Sequence, residues 1–337
     1  MNKKILTISI AAYNAEKWLT KCLDSFMIPE ILDDLEVIIV NDGSTDKTEE
    51  IACKYTNKYS KSFMLINKEN GGHGSTINAS RKVAKGKYYK AVDADDWVDR
   101  DGIIKLVQNL KNINVDLIYN PIHYVYQDDN KIELVGCTTD STSIPCNEIL
   151  DFEAYSRSLR LSIHGMTIRT ELIQNSGYMI DEGCFYVDQE YILYYLLNVK
   201  KLVVYDFPVY EYLNGRVGQS IDFNSYIKKR NQHEKVIFSV VDFWNENKDS
   251  FKPNTNYMII KQISMLVCIQ YKIYMSMDNS LMAKSELVIF EKKIKNKSIE
   301  IYRSALSRGK IVKAVHIISC FNYAGFGLLK KVISMLL

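Results

Sequence analysis

The first hundred residues alternate repeatedly between apolar, β-rich runs and helical patterns, and this alternation constrains the fold more than any other feature. The runs "ILTISIAAYN", "LEVIIVNDGS", "FMLINKE" and "KYYKAVDADDW" each stop at polar residues. Between the first two, "EKWLTKCLDSFM" sets Trp18, Leu19, Cys22, Leu23 and Phe26 at helical spacing. After the second, "STDKTEEIACKYTNKY" opens with capping residues and carries Glu49 and Glu50 in an early turn. After the third, "NGGHGSTINASRKVAKG" reads as a glycine loop and a helix closed by Gly86. The order β-α-β-α-β-α-β predicts an α/β domain around a mostly parallel sheet. Such sheets bind ligands beyond the carboxyl ends of their strands. Tyr13, Asn14, Asp42, the 70–74 loop and the acidic cluster 93–96 all fall at those ends.

Farther on, "VDLIYNPIHYVYQ" reads as one strand with "KIELVGCTTD" as its partner. "EILDFEAYSRSLR" and "YVDQEYILYYLLNV" read as helices, and "KLVVYDFPVYEYL" as a strand. Strand signals fade beyond about Ile221, which predicts a domain over 1–220 and a helical C-terminal region over 221–337.

Charge and cysteine usage narrow the class. Net charge is only +3, and no nucleic-acid partner is expected. From Leu281 onward, however, eleven Lys/Arg face three Glu, a net of +8 that leaves about −5 for the preceding 280 residues. That asymmetry predicts an anionic surface against the tail. Seven scattered cysteines without a CxxC pair, and five histidines without HExxH spacing, argue for reduced thiols and against a zinc site or disulfide frame. The N-terminal apolar run is short and lacks a cleavage site, so it reads as a first strand. The best spanning candidate, "YMIIKQISMLVCIQYKIYM", is broken by Lys261, Gln262, Gln270 and Lys272. A cytoplasmic protein is expected.

The stretch "VDADDWVD", residues 92–99, places Asp93, Asp95, Asp96 and Asp99 within eight positions. Mutual repulsion there needs an offset. In an extended segment Asp93 and Asp95 share a face while Ala94 points away. Two carboxylates at a strand end suit a divalent cation that keeps several waters and takes further ligands from phosphate oxygens. The competing reading is an acidic turn that caps the helix "GIIKLVQNL".

Taken in order, "ISIAAYNAEKWLTKCLDSF", "EVIIVNDGSTDKTEEIA", "NGGHGSTIN" and "GKYYKAVDADDW" resemble the family-2 glycosyltransferases. The resemblance covers residues 5–100 closely and continues more weakly to about 220. It implies a GT-A nucleotide-diphospho-sugar domain, with 1–100 as the nucleotide-binding half and 101–220 as the acceptor half. It also implies an inverting enzyme that uses Mn2+ or Mg2+. Such an enzyme would move sugar from a nucleotide-diphosphate sugar, commonly UDP-linked, to a glycan or lipid-linked acceptor in bacterial surface polysaccharide synthesis. By matching position, Tyr13 would lie against the base, with Ala12 allowing close approach, and Asp42 would accept a hydrogen bond from a base N–H. Asn70, Gly71 and Gly72 would enclose the diphosphate, Asn14 and Ala94 would complete the nucleotide-sugar contacts, and Asn78 would orient the acidic cluster. Asp93 and Asp95 would hold the metal, and Arg216 would pair with phosphate oxygens.

The general base in relatives often lies in a Glu-Asp pair at a helix start. Here "EGCFYVDQEYILYYL" offers Asp188, preceded by Val187, with Glu190 as the nearest competitor. An Asp at that place would also suit an N-cap. His73 and His164 are weighed as a phosphate donor and an acceptor-side residue, each against a packing role. Absence of a Q-x-x-R-W signature points to transfer of single sugars.

A sugar-phosphate nucleotidyltransferase is the nearest enzymatic alternative, but "AAYNAEKW" lacks the glycine-rich basic loop it would need. A non-catalytic nucleotide-sugar-binding subunit would not require an intact Asp93, Asp95 and Asp188. A dinucleotide-binding oxidoreductase fails for want of G-x-G-x-x-G after the first strand. The terminal segment "LLKKVISMLL" is expected to form a helix after breaks at Gly325 and Gly327. Packing on the catalytic domain, a homo-oligomer, or contact with an anionic membrane leaflet are the roles open to it.

Overall fold

Continuous apolar runs make strands that are buried on both faces, and the amino-terminal half is built this way. The computed structural model of the chain describes residues 4–127, 131–138, 144–215 and 223–336. Four parallel strands, β1 (Leu6–Ala12), β2 (Leu35–Asp42), β3 (Phe63–Lys68) and β4 (Tyr88–Asp93), lie in the order β3-β2-β1-β4. Leu6, Ile8 and Ile10 face one core together with Leu19, Cys22, Leu23 and Phe26 from the helix Leu19–Asp24 and its exit. On the opposite face Ser9 meets Ser80 of the helix Gly72–Val83 at 2.7 Å. The β-α alternation expected for the first hundred residues is present.

The remaining strands are β5 (Trp97–Val98), β6 (Leu117–Tyr119), β7 (Ile122–Tyr126), β8 (Ile132–Val135), β9 (Ile149–Asp151), β10 (Met166–Arg169), β11 (Lys201–Val204) and β12 (Tyr210–Asn214). The large sheet continues from β4 as β10-β6-β11-β9, and a second sheet has the order β5-β12-β7-β8.

Two segments that read as single strands are each divided between these sheets. β6 pairs parallel with β11 in the large sheet, and their continuations β7 and β12 pair parallel in the small one. Pro121 lies between β6 and β7 and Pro208 between β11 and β12. A proline has no N–H to give to a ladder, so each run changes sheets there. Asn120 Nδ2 donates to the Phe207 carbonyl at 3.1 Å and ties the two crossings together. A third expectation is corrected at β9, where Ile149–Asp151 forms an edge strand on β11 instead of helix. The helix begins at Phe152, with the Asp151 side chain capping the Ala154 N–H at 3.0 Å.

The chain forms two compact units, Met1–Val217 and Gly218–Leu337. Every element described in the second is helical: Phe223–Lys228, Arg230–Asn247, Pro253–Ser276, Ser280–Lys297, Ile299–Arg308, Lys310–Ser319 and Phe326–Leu336, with one 3-10 turn at Lys248–Ser250. Ile259, Ile263, Val267, Tyr271 and Tyr274 are fully buried along the longest helix, at the spacing of one face. Arg230 grips Glu286 with two hydrogen bonds, 2.6 and 2.8 Å. The terminal helix starts right after Gly325, which has φ +78°, and it contains Gly327, so only the first expected break occurs. No helix among the described residues is long and apolar enough to cross a membrane.

Candidate active site

The strand ends are tied together by side chains. Asn14 adopts φ +47°, a left-handed conformation that Asn tolerates better than most residues. Its Oδ1 accepts the Thr45 N–H at 2.8 Å, and its own N–H donates to Ser44 Oγ at 3.0 Å. Asn14 thereby locks the end of β1 to the turn after β2. Tyr13, just before it, projects with 55% of its surface exposed, while Ala12 and Ala94 are buried beside it.

Asp42 does different work from the role implied for it. It is 2% exposed. Its Oδ1 accepts from Lys68 Nζ (2.8 Å), the Gly71 N–H (2.9 Å) and Ser75 Oγ (3.1 Å), and its Oδ2 accepts the Gly72 N–H (2.7 Å). The two glycine amides that would approach a diphosphate are therefore given to a buried carboxylate. The structure gives Asp42 a loop-holding role where the resemblance implies a contact with the base.

Glycine in this loop serves close backbone packing. A Cβ on Gly43 would fall 2.7 Å from the Asn70 nitrogen, and one on Gly74 would fall 2.1 Å from the Asp181 carbonyl oxygen. Asn78 is likewise redirected. It is buried, donates to the Ile180 carbonyl (2.8 Å) and Glu182 (3.1 Å), and accepts the Ile180 N–H (3.1 Å). It anchors the 180–182 segment to the glycine-loop helix; it does not orient the acidic cluster.

That segment leads to the helix Asp188–Tyr194. Glu190 is fully buried and accepts the Asp181 N–H at 2.7 Å, which fixes the loop and removes it as a competitor for the base. Asp188 occupies the first helical position; Val187 precedes it and makes no side-chain cap, so the capping role considered for Asp188 is not made. Gln189 Nε2 donates to Asp188 Oδ2 at 2.9 Å. Burial raises the Asp188 carboxyl above the usual carboxylate range, while Gln189, His164 and His73 act to lower it. Asp188 therefore stands within the electrostatic reach of both histidines.

Those histidines bracket Asp93. His73 Nε2 lies 3.5 Å from Asp93 Oδ1, and His164 Nε2 lies 3.3 Å from Asp93 Oδ2. His164 comes from the 3-10 turn Ile163–Gly165 that feeds β10. Lys90, fully buried on β4, donates to the His164 and Met166 carbonyls and so fixes that turn. Burial lowers the Lys90 pKa to about 7.

β4 ends at Asp93 and residues 94–95 turn, with the Asp96 N–H donating to the Asp93 carbonyl at 3.1 Å. The extended alternation that would set Asp95 beside Asp93 therefore stops short. Asp93, Asp96 and His164 instead bring one ligand atom each within 4.8 Å of one another, and Asp95 lies outside that group. Asp96 accepts from the Tyr210 hydroxyl (2.7 Å) and the Leu213 N–H (2.8 Å). Burial and the charge of Asp93 hold its carboxyl well above the usual range. Asp99 caps the helix Arg100–Asn112 through the Gly102 N–H at 2.7 Å.

The acidic stretch is thus distributed among separate partners: a helix end, a tyrosine with a main-chain amide, and two histidines. Arg216 lies outside the described residues. Lys90 and Tyr210 escaped sequence reasoning; a lysine inside the apolar run "KYYKAVD" was the available signal for the first.

Comparison with known proteins identifies the family and the fold. The family model described as glycosyl transferase family 2 matches residues 7–177. Glycosyltransferase GlyA of Streptococcus pneumoniae is 34% identical over 112 residues, which cover 33% of this chain and 16% of GlyA. The teichoic acid poly(glycerol phosphate) polymerase of Staphylococcus epidermidis is 28% identical over 260 residues, 76% of this chain and 34% of that protein. The chain therefore spans about a third or less of the length of these two curated relatives. S. aureus TarS 1–349, solved in complex with UDP-GlcNAc, superposes with a TM-score of 0.68 at 16% identity, covering 98% of this chain and 92% of that one. The shared architecture is the GT-A fold.

Proposed function

The chain belongs to glycosyl transferase family 2, and we propose that it moves a single sugar from a UDP-linked donor to a hydroxyl of a glycan or lipid-linked acceptor, with inversion. The observation that carries this reading is the meeting of Asp93 and His164 at 3.3 Å, with the Asp188 carboxyl in the same field, at the carboxyl ends of β1 and β4. The exposed Tyr13 ring offers a face to the base. The complex of TarS with UDP-GlcNAc supports a UDP-linked donor, and the teichoic acid relative supports a role in cell-surface polymer synthesis.

The donor set fits a hard divalent cation. Asp93 is half-buried, and a carboxylate with an open side leaves positions for water and phosphate oxygens. Both Asp96 oxygens already accept protein hydrogen bonds, so of the Asp93–Asp96–His164 group it is Asp93 and His164 that would hold Mn2+ or Mg2+. What such a cation supplies is neutralisation of the charge that grows on the departing diphosphate.

Asp188 takes the proton from the acceptor hydroxyl while that oxygen attacks the anomeric carbon, and the carbon–diphosphate bond breaks on the opposite side. Burial raises its basicity, which suits that task. His73, in the first turn of its helix, would donate to a phosphate oxygen.

A screen of nucleotide sugars tests the reading through release of nucleotide diphosphate with Mn2+ or Mg2+ and with EDTA. Release from a UDP-sugar that stops in EDTA is expected. Full activity in EDTA would remove the metal from the reading, and a folded chain that neither binds nor cleaves any nucleotide sugar would remove the activity.

A further inference from the structure

The small sheet carries aromatic side chains to the edge of this site. In the parallel pair β12–β7, Tyr210 stands opposite Ile122, Tyr212 opposite Tyr124, and Asn214 opposite Tyr126. Alternate side chains share a face, so Tyr210, Tyr212, Tyr124 and Tyr126 lie on one side of the sheet. Three of these rings form a connected row with His164. His164 lies 4.9 Å from both Tyr210 and Tyr212 between ring centroids, and Tyr212 lies 5.1 Å from Tyr124.

Exposure increases along the row. Tyr210 is fully buried, whereas Tyr212, Tyr124 and Tyr126 are half-buried. The charges of Asp96, Asp93 and Asp188 all reach the Tyr212 ring.

We infer that Tyr212 and Tyr124 form the acceptor subsite, a stacking platform for a pyranose ring whose hydroxyl is delivered to Asp188; this rests on the proposed transfer reaction. A pyranose presents a flat patch of C–H groups to an aromatic face and keeps its hydroxyls at the rim. The Tyr126 hydroxyl, hydrogen-bonded to Glu133 at 3.0 Å, supplies polar groups at the outer end. The row begins at His164, 3.3 Å from Asp93, so a sugar seated on it adjoins the donor site. An acyclic polyol phosphate has no such flat face and would be held by cations. Those near the outer end are Lys131, 5.7 Å from the Tyr126 ring, and Arg160, whose charge reaches Tyr124.

Saturation-transfer NMR on the full chain with UDP and Mg2+ tests this, using methyl β-glycosides of glucose, galactose and N-acetylglucosamine as probes. At least one should receive saturation at its ring C–H protons. Tyr212→Ala and Tyr124→Ala should each weaken its binding by about tenfold, and Tyr→Phe at either place should restore it, as stacking requires. UDP affinity by calorimetry should survive in these variants, which also shows that they fold.

Pyranoside signals that persist in the double alanine variant would overturn the platform. So would a signal confined to glycerol phosphate and lost with Arg160→Gln. If the wild-type chain releases UDP from a donor yet no pyranoside binds, the platform fails and the transferase reading stands. If no nucleotide sugar is bound or cleaved, both fail.

Discussion

Asp42 accepts the main-chain N–H of Gly72 at 2.7 Å, so a buried carboxylate at the end of β2 shapes the loop that carries His73. Truncation would leave the Gly71 and Gly72 amides, Ser75 and the Lys68 ammonium without their shared acceptor. Removing one partner of such a buried, hydrogen-bonded charge costs about 3 kcal/mol. Asp42→Ala should show that loss in urea unfolding, and Asp42→Asn, which keeps one acceptor oxygen, should lose less. An unchanged unfolding midpoint together with lost UDP affinity would return Asp42 to a contact with the base.

As the proposed base, the Asp188 carboxyl would act only when ionised, and burial raises its pKa. The transfer rate should therefore fall as pH is lowered through a value above the usual carboxylate range. Asp188→Asn should keep donor affinity, lower the rate by roughly two to four orders of magnitude, and lose the acid limb of the profile. Rate–pH curves for both proteins, with UDP binding alongside, make the check. A variant of near-normal rate would assign the proton transfer to another group.

Lys90 offers a pH test of the scaffold. Its pKa is lowered from the usual 10.5 to about 7 because burial disfavours the ammonium. Between those values the unfolded chain holds a proton that the folded chain has released, so this residue makes stability rise with pH across that window. Below about pH 7 the folded protein must carry the buried charge, at a cost of at most about 4–5 kcal/mol. Lys90→Met removes the dependence. Relative to wild type, the variant should be at its best near pH 6 and lose ground toward pH 10 in urea titrations. Parallel stability–pH curves for the two proteins would show that Lys90 stays charged in the fold.

How much of this was legible in the sequence follows from the range of the interactions. β1 to β4 were readable because each apolar run is continuous, local and ends at turn residues. The polar residues at their ends could be named for the same reason. Partners were not readable. Asp93 and His164 meet across 71 positions, and Asn120 binds the Phe207 carbonyl across 87. Pro121 and Pro208 were visible, but which sheet each half-strand joins depends on the other half-strand. An extended backbone would set Asp95 beside Asp93, but the chain turns after residue 93. The resemblance implies a base contact for Asp42 and an orienting role for Asn78, yet the groups they hold come from loops that are remote in sequence.

The tail provides the last test. From residue 301 onward the sequence has six Lys/Arg and no Asp or Glu. Ile317 (61%), Phe321 (70%), Leu328 (71%) and Val332 (48%) are exposed on the last helices and the turn between them. Lys313 lies one helical turn before Ile317, and Lys331 adjoins Val332. Basic residues interleaved with exposed apolar ones suit the headgroup region of an anionic leaflet, with about 1 kcal/mol for each Lys or Arg near the surface. We expect co-sedimentation with phosphatidylglycerol vesicles that weakens in high salt and is absent with neutral vesicles. Deleting the segment is a poor control, because Val312 and Val315 are fully buried and their loss would open the core of the unit. Phe321→Ser with Leu328→Ser removes exposed side chains only, so it should abolish vesicle binding while leaving the melting temperature near that of wild type. If the double variant still binds vesicles, or if it instead splits a dimer that ignores them, the surface serves a protein partner and the membrane assignment is wrong.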